Sequence, residues 1–285
     1  MVELGVNFNG NTSMEELCSR ARTAERFVDC IWVGEHRPLV HPFPLLVLLA
    51  ECTAEAKIGT AILSAMTNRC FHIARAFATL KEVYGERFVA GIAPGDRHGL
   101  KVECVASRRV LSRLEKCISL ISKEVPVLVG GSGPKVIELG SEKSHGVILN
   151  YAHPEFVRWA LDHMKKRTYV ACIAPALVLP DDENLDELLA AAAVIAAGAN
   201  QVFLEEMGLV EKVAEVRRAA ERGRVGEHRD FLLEHFTISG SLEEVVERIQ
   251  ELAGLGVDQV ILGSPFVISR QFEKIINSIS ERLSA

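Results

Sequence analysis

The sequence predicts an α/β fold, a closed (β/α)8 TIM barrel formed by one domain over residues 1–285. The first observation is an alternation of short apolar runs with helical stretches along the whole chain. The second is that the runs are almost continuously apolar, which is typical of the strands of a parallel sheet. The third is the chain length, since a barrel of this kind usually takes ~250 residues.

Eight apolar runs are predicted to form the strands of the barrel. They lie at residues 2–8, 30–35, 57–65, 87–93, 125–129, 146–151, 169–179 and 258–262. Helices are predicted between them, most clearly at residues 70–84, 107–122, 154–167, 242–255 and 271–283. Ser13 and Glu16 have the spacing of a capping box, so we expect the first helix to begin there. The long segment 180–238 predicts extra helices between the seventh and eighth strands. One interpretation is that these helices form a lid.

An open, doubly wound parallel sheet is the alternative fold. Such a sheet binds phosphate through a G-x-G-x-x-G turn after its first strand. Residues 9–13 read Asn-Gly-Asn-Thr-Ser and lack this pattern. The barrel is therefore the preferred prediction.

Composition argues against several functional classes. The net charge of −6, from 32 Lys and Arg against 38 Asp and Glu, disfavours a nucleic-acid partner, which would require a basic face. The longest uncharged apolar stretch, residues 188–199, is shorter than the ~20 residues of a membrane span, so no membrane partner is expected. The N-terminus has no basic region followed by an apolar run, so no secretory signal is expected. The seven Cys are scattered without a C-x-x-C pair, which predicts reduced thiols in a cytoplasmic protein.

Active sites of βα barrels lie at the carboxyl ends of the strands. Glu35, His36 and Arg37 follow the second run and are interpreted as a proton-handling set. The alternatives are the start of a solvated loop and Glu35 as an ion-pair partner at the barrel rim. Asp96 comes after the fourth run, next to Gly95. It is interpreted as an acid, a base or a hydrogen-bond acceptor for a ligand, and a turn cap is the alternative. Asn150 ends the sixth run at the same predicted rim.

A glycine-rich loop follows the fifth run. It contains Gly130, Gly131, Ser132, Gly133, Pro134 and Lys135. Glycines let the backbone approach a ligand closely, and a helix that begins at a Pro offers free N–H groups to an anion. Lys135 adds positive charge. These residues predict a site for a phosphate group, while a plain strand-to-helix turn is the alternative interpretation.

Two kinds of catalytic site are not indicated by the sequence. The nine His show no metal-ligand spacing such as H-E-x-x-H, so no metal site is predicted. No G-x-S-x-G elbow occurs, which disfavours a serine hydrolase.

Several segments along the chain together resemble one known family. They are residues 24–36, 57–60, 67–68, 78–80, 85–88, 91–96, 125–135, 146–150 and 256–265. Among them are Trp-Val-Gly-Glu-His at 32–36, Gly-Ile-Ala-Pro-Gly-Asp at 91–96 and Val-Gly-Gly-Ser-Gly-Pro-Lys at 129–135. In this order they resemble the bacterial luciferase-like superfamily of flavin and deazaflavin enzymes. Within that superfamily the chain looks most like the coenzyme F420-dependent methylenetetrahydromethanopterin reductases.

The resemblance implies a barrel, usually dimeric, with coenzyme F420 lying across the carboxyl rim; FMN is the alternative cofactor. Glu35, His36 and Asp96 are then the catalytic candidates. A non-proline cis peptide is expected at the end of the third strand, within Ser64-Ala65-Met66. The cofactor-binding candidates are Ser64, Ala65, Met66, Thr67, Asn68, Gly95, Gly130, Gly131, Ser132, Gly133, Pro134, Lys135 and Asn150.

The leading functional prediction is an oxidoreductase that transfers a hydride between F420 and a small organic or pterin substrate, as a cytoplasmic homodimer. The alternatives are an FMN-dependent monooxygenase, a non-catalytic flavin- or F420-binding protein, and an unrelated barrel that binds a phosphorylated metabolite. Two departures from the reductases bear on the choice. The reductases carry Glu where this chain has Asn7, an amide that cannot supply a proton. They also carry a longer insertion than this chain has between Asp96 and Val125.

Overall fold

Parallel strands form a closed barrel in the computed structural model, which describes residues 2–9, 12–35, 41–95 and 109–284. The barrel strands are β1 (Glu3–Phe8), β2 (Cys30–Val33), β3 (Lys57–Thr60), β5 (Phe88–Ala93), β6 (Val127–Gly130), β7 (Gly146–Leu149), β8 (Tyr169–Val178) and β10 (Gln259–Gly263). Two short strands, β4 (Leu63–Ser64) and β9 (Ile238–Gly240), pair with β5 and β8. β10 pairs with both β1 and β8, which closes the barrel. The predicted (β/α)8 barrel is confirmed, and each predicted run overlaps one barrel strand.

Helices surround this barrel. In chain order they are α1 (Met14–Ala24), α2 (Pro42–Cys52), α3 (Cys70–Tyr84), α4 (Val110–Ile121), α5 (Pro134–Lys143), α6 (Pro154–Asp162), α7 (Leu185–Gly198), α8 (Gln201–Glu206), α9 (Val210–Glu221), α10 (Arg229–Phe236), α11 (Leu242–Gly254) and α12 (Phe272–Ser284). The helices α7 to α10 are the extra helices predicted between the seventh and eighth strands of the barrel. Ser13 caps α1 as expected, since its Oγ accepts a hydrogen bond from the backbone N of Glu16 at 3.1 Å.

The hydrophobic core has two layers, because successive side chains of a strand point to opposite faces. Cys30, Trp32, Leu128, Ile148, Ala171 and Ile261 form one buried cluster inside the barrel. The alternate residues, such as Leu4, Val6 and Phe8 of β1, belong to the larger cluster beneath the helices. On β1 the inward positions are therefore Glu3, Gly5 and Asn7.

Polar side chains fill the amino end of the barrel. The Tyr169 hydroxyl donates a hydrogen bond to the Glu3 carboxylate, and Trp32 Nε1 donates to Oε1 of Gln259 at 3.0 Å. Burial and the adjacent Glu3 carboxylate raise the pKa of Tyr169, so its hydroxyl keeps the proton that it donates. Glu3, Tyr169 and Gln259 each begin a strand. Because this end is filled by protein groups, a ligand site is expected at the opposite, carboxyl end.

Four of the six cysteines among the described residues are paired. The sulfur atoms of Cys18 and Cys52 are bonded across a Cα–Cα distance of 5.4 Å, and those of Cys70 and Cys117 across 4.8 Å. The prediction of reduced thiols is therefore wrong for these four residues in the structure. Its reason was sequence spacing, and the members of each pair are 34 and 47 residues apart and meet only because their helices are neighbours. Cys30 and Cys172 are buried free thiols, and Cys104 lies outside the described residues.

Among the helices of the described ranges, none combines the length and the apolar character that crossing a membrane would need.

Candidate functional site

The predicted site residues stand at the carboxyl ends of successive strands, and the parallel barrel brings these ends to one rim. Glu35 follows β2, Gly95 follows β5 and Asn150 follows β7. Residues 64–68, called the site loop below, begin in β4, and residues 130–135, called the glycine loop, begin at the last residue of β6. His36 and Asp96, two of the three predicted catalytic residues, lie outside the described residues. The functional roles of all these residues stay predictions.

The third predicted strand is interrupted after Thr60, where β3 ends. The Thr60 hydroxyl donates a hydrogen bond to the carbonyl oxygen of Gly91 at 2.9 Å and accepts one from its backbone N at 3.0 Å. A Cβ on Gly91 would lie 1.9 Å from the carbonyl oxygen of Thr60. Only a glycine allows the two strands to approach this closely. The side chain of Thr60 thus takes over the pairing where the backbone of the third strand bends away.

The interruption contains a non-proline cis peptide bond between Ala61 and Ile62. The prediction placed this bond within Ser64-Ala65-Met66 and is wrong, because the strand leaves the sheet earlier than its apolar run suggests. Ala61 and Ile62 pack against the cluster inside the barrel. Cγ2 of Ile62 would lie 2.7 Å from a Cβ on Gly130. The Ile62 side chain therefore occupies the space between the third strand and the glycine loop.

The Glu35 carboxylate anchors the site loop. Its Oε2 accepts a hydrogen bond from the backbone N of Ser64 at 2.7 Å, and Nδ2 of Asn68 lies 3.2 and 3.1 Å from its Oε1 and Oε2. The backbone N of Glu35 donates to the carbonyl oxygen of Ile62 at 3.2 Å. Hydrogen bonds to a charged acceptor are stronger than neutral ones. The geometry therefore gives Glu35 a positioning role. Its role in proton handling stays a prediction.

Hydrogen bonds inside the site loop fix its backbone. The Ser64 hydroxyl accepts from the backbone N of Met66 and of Thr67, both at 3.3 Å, and donates to the carbonyl oxygen of Pro94 at 3.2 Å. Ala65 and Met66 are buried. These two candidates therefore contribute backbone shape to the rim, while Thr67 and Asn68 are half-buried and present polar groups.

Arg113 of α4 is a site residue that the sequence reasoning missed. Its Nε donates to the carbonyl oxygen of Ala65 at 2.7 Å, and its Nη2 donates to that of Asn68 at 3.2 Å. No motif surrounds Arg113 in the sequence, so only the packing of α4 beside the site loop reveals it.

The glycine loop leads directly into α5. Gly133 is the N-cap and has no side chain, so the first amides of α5 receive no side-chain cap; Pro134 follows and Lys135 is exposed. An uncapped helix N-terminus with a nearby cation suits an anion such as a phosphate group. A Cβ on Gly131 would lie 2.6 Å from Cγ1 of Val136. This glycine is therefore required by packing against the protein as well as by any approach to a ligand.

Two carboxamides stand near the carboxyl end of β1, Asn7 within the strand and Asn9 directly after it. Asn7 is 2% exposed, and its inward position is two residues past Gly5, whose Cβ position lies 3.0 Å from Trp32 Nε1. The Oδ1 atoms of Asn7 and Asn9 are both buried and have no hydrogen-bond partner. An unsatisfied buried acceptor costs about 1–3 kcal/mol. Such a cost is expected where a bound ligand supplies the missing donor. From the sequence, Asn7 was expected only as a departure from a family, and Asn9 was not a predicted site residue.

The end of β7 separates a rim residue from a core residue. Asn150 is exposed, whereas Tyr151 is 2% exposed and its ring stacks on Phe203 with the centroids 5.1 Å apart. The Tyr151 hydroxyl has no hydrogen-bond partner, and burial raises its pKa. Tyr151 belongs to the core beneath the helices, so at this end only Asn150 is placed at the rim.

The rim as a whole offers a carboxylate-anchored loop, an uncapped helix N-terminus and two carboxamide oxygens without a hydrogen-bond partner. This set can bind a polar organic ligand with an anionic group by hydrogen bonds. Within the described ranges no three His, Cys, Asp or Glu residues are grouped so that they could hold a metal ion.

Comparisons with known proteins agree with this architecture. A 5,10-methylenetetrahydromethanopterin reductase of Archaeoglobus fulgidus is 27% identical over 93% of this chain and 94% of its own length. The structure of a coenzyme F420-dependent tetrahydromethanopterin reductase from Methanopyrus kandleri has a TM-score of 0.80 at 21% identity and covers 98% of this chain and 97% of that one. An F420-dependent secondary alcohol dehydrogenase in complex with an F420–acetone adduct has a TM-score of 0.74 at 18% identity, covering 98% and 99%.

The predicted resemblance is confirmed by a match to a whole family. The family described as luciferase-like monooxygenase matches residues 4–99 and 106–259, which is most of the chain. The relatives above are oxidoreductase enzymes, as expected from the resemblance. This chain belongs to the luciferase-like monooxygenase family.

Proposed function

We propose that this chain is an F420-dependent oxidoreductase that transfers a hydride to or from a small organic or pterin substrate at the barrel mouth. The observation that carries the proposal is the pair of buried, unpaired Oδ1 atoms of Asn7 and Asn9. They face the end of the barrel at which the site loop and the uncapped N-terminus of α5 also stand. The similarity to the Archaeoglobus fulgidus reductase over nearly the whole of both chains supports it.

The residues present fit a deazaflavin with a phosphate-bearing tail. Such a cofactor supplies a carbon that carries a hydride, and the protein supplies binding, orientation and exclusion of water. The first turn of α5 and Lys135 would hold the anionic tail. Thr67, Asn68 and Gly95 would contact the ring. Glu35 would act through the site loop by holding Ser64 and Asn68 in place.

We propose that the substrate makes a different polar contact at position 7 from the one that the substrate of the reductases makes. Their Glu is replaced here by Asn7, whose carboxamide accepts and donates hydrogen bonds but releases no proton at ordinary pH. A reaction that relies on a proton from this position is therefore not expected. A hydride transfer whose substrate needs only a hydrogen-bond partner at Asn7 is compatible with the site.

An FMN-dependent monooxygenase is the second candidate, favoured by the description of the matching family. The two candidates differ in cofactor, since reduced FMN reacts with oxygen. A protein that binds either cofactor without turnover is the third. From the resemblance we also propose that the chain assembles as a homodimer, which light scattering of the purified protein would test. The single domain and the cytoplasmic location that the sequence predicts stay proposals.

The deciding experiment is a fluorescence titration of the purified protein with F420 and, separately, with FMN. We expect tighter binding of F420. The variant Lys135→Met removes one charge beside the phosphate and is expected to weaken binding about threefold, as the effect of one exposed charge at a helix N-terminus suggests. Lys143→Met changes the exposed Lys at the other end of the same helix and serves as the matched control.

The outcomes separate the candidates. Preference for FMN would favour the monooxygenase, and binding of neither cofactor would contradict the proposal. Equal effects of the two Lys variants would contradict the placement of the phosphate at α5. Where F420 binds, a screen of hydride acceptors distinguishes an enzyme from a non-catalytic binding protein.

A further inference from the structure

The disulfide between Cys70 and Cys117 lies directly behind the site loop. Cys70 is the first residue of α3, two positions after Asn68 ends the loop. Cys117 is a fully buried residue of α4. The pair therefore joins α3, the helix that leaves the loop, to α4, the next helix of the described residues.

Arg113 connects this disulfide to the loop by hydrogen bonds. Arg113 and Cys117 are four positions apart on α4, so their side chains lie on the same face of the helix. The Arg113 guanidinium donates to the carbonyl oxygens of Ala65 and Asn68 at 2.7 and 3.2 Å. The sulfur of Cys70 lies 4.0 Å from the carbonyl oxygen of Arg113. The covalent bond thus joins α4 to α3, and the two guanidinium contacts join α4 to the site loop.

The second disulfide provides an internal comparison. Cys18 and Cys52 join α1 to α2, and Cys52 is the last residue of its helix. Helices of a βα barrel run back from the carboxyl rim to the amino end, so Cys52 lies at the end remote from the rim. The two disulfides bridge neighbouring helices in a similar way, but only one lies beside the site loop.

We propose that the Cys70–Cys117 disulfide is a positioning element of the candidate site. It fixes α4 against α3, which keeps Arg113 in reach of the Ala65 and Asn68 carbonyls and thereby holds the loop that Glu35 also anchors. That this loop serves a ligand rests on the proposed function. The cross-link and its effect on the loop do not depend on the proposed function.

The bond forms by thiol–disulfide exchange. The two cysteine thiols give up two protons and two electrons and form one S–S bond, while a low-molecular-weight or protein disulfide takes them up and becomes two thiols. Cys70 is 8% exposed and Cys117 is 0% exposed. Exchange needs access of a thiolate to a sulfur, so the completed bond is shielded until the helices separate locally.

The first measurement is the oxidation state of each cysteine in the unreduced protein. The protein is unfolded in an alkylating reagent without reductant, digested and analysed by mass spectrometry. We expect a cross-linked peptide that contains Cys70 and Cys117. Alkylation of both residues in the unreduced protein would overturn the proposal.

The second measurement compares two double variants by hydrogen exchange. The reporters are the backbone amides of Ser64, Ala65 and Asn68, which donate to Glu35, to the carbonyl oxygen of Ala93 and to that of Ser64 respectively. In Cys70→Ala/Cys117→Ala we expect at least about tenfold faster exchange of these amides, because local opening is governed by local contacts. In Cys18→Ala/Cys52→Ala we expect the exchange of these amides to be unchanged. Equal rates in the two variants would overturn the proposal.

Arg113 variants test the connection itself while leaving the disulfide intact. Arg113→Met is expected to reproduce the faster exchange, and Arg113→Lys, which keeps a donor, to recover part of the protection. If Cys70→Ala/Cys117→Ala does not fold, the variant Cys18→Ala/Cys52→Ala retains only the disulfide in question and is measured before and after reduction with a phosphine. Unchanged loop exchange after complete reduction would overturn the proposal.

Cofactor titrations of the same variants keep the two proposals apart. If the wild-type protein binds neither F420 nor FMN, the proposed function fails while the exchange data still decide the role of the disulfide. If it binds F420, the Cys70→Ala/Cys117→Ala variant is expected to bind more weakly than the Cys18→Ala/Cys52→Ala variant.

Discussion

The site loop and the glycine loop stand on the same rim but are held in different ways. Side chains from other parts of the chain hold the site loop, namely Glu35 and Arg113, together with its own Ser64 and Asn68. The glycine loop is held mainly by its backbone and by close packing, as at Gly131 against Val136. Polar contacts can be removed one at a time, whereas close packing fails when one atom is added. The two loops are therefore expected to respond to opposite kinds of substitution.

The largest effect is expected at Glu35. Replacing it by Ala leaves the Ser64 amide and the Asn68 carboxamide without their acceptor. Loss of hydrogen bonds to a charged group should lower the free energy of unfolding by about 3 kcal/mol. Glu35→Gln keeps one acceptor oxygen and is expected to lose less than half of this. Urea denaturation measures both, and equal losses in the two variants would show that Glu35 does not anchor the loop through its acceptor atoms.

An added methyl group at Gly131 is the corresponding test of the glycine loop. The new Cβ of Gly131→Ala would meet Cγ1 of Val136 at 2.6 Å, and overpacking of this kind costs about 2 kcal/mol. Val136→Ala in the same chain removes the clashing atom and is expected to restore most of the loss. A double-mutant cycle by thermal denaturation gives the coupling between the two positions. Additive effects would mean that the glycine is needed for another reason, such as the ligand.

A smaller effect on stability is expected at Asn7, because its buried Oδ1 already lacks a hydrogen-bond partner. Asn7→Leu replaces a buried carboxamide by an apolar side chain with the same branching, so stability should stay the same or rise by about 1 kcal/mol. Because Asn7 is proposed to contact the substrate, the KM for a hydride acceptor found in the screen is expected to rise in the same variant, while F420 affinity should not change. A loss of stability together with an unchanged KM would show that the Asn7 Oδ1 is not kept unpaired for a substrate. Calorimetry and steady-state kinetics provide the two readouts.

The difference between local and distant contacts explains which parts of the fold and of the candidate site could be predicted from the sequence. The eight strands were predicted because burial on both faces leaves a continuous apolar run, which needs no knowledge of distant residues. The glycine loop was predicted for a similar reason, since its residues are adjacent in the chain. Both are local signals, and the structure places both where the sequence put them.

The remaining features depend on contacts between distant residues. Arg113 reaches the site loop across 45 and 48 residues, and the pairing of Cys70 with Cys117 depends on two neighbouring helices. The early end of the third strand at Thr60 depends on its close approach to Gly91. An apolar run does not show where its strand leaves the sheet, so the cis peptide was assigned to the wrong residues. Sequence patterning thus predicted which loops form the rim but not what holds them.

The smallest effect on the free energy of unfolding is expected at His153, which lies outside both loops. It shows how much of the pH dependence of stability arises away from the candidate site. Burial, helped by the adjacent His235, lowers the pKa of His153 to about 4 from an ordinary value of 6.5. The unfolded chain therefore takes up a proton at this residue between pH 6.5 and about 4, where the folded chain does not, so stability falls as the pH is lowered through this window. His153 is only partly buried, so the slope is small. Urea denaturation at pH 7 and pH 5 should show a smaller decrease for His153→Gln than for the wild-type protein. An identical decrease in both proteins would assign the pH dependence to other groups and contradict the displaced pKa.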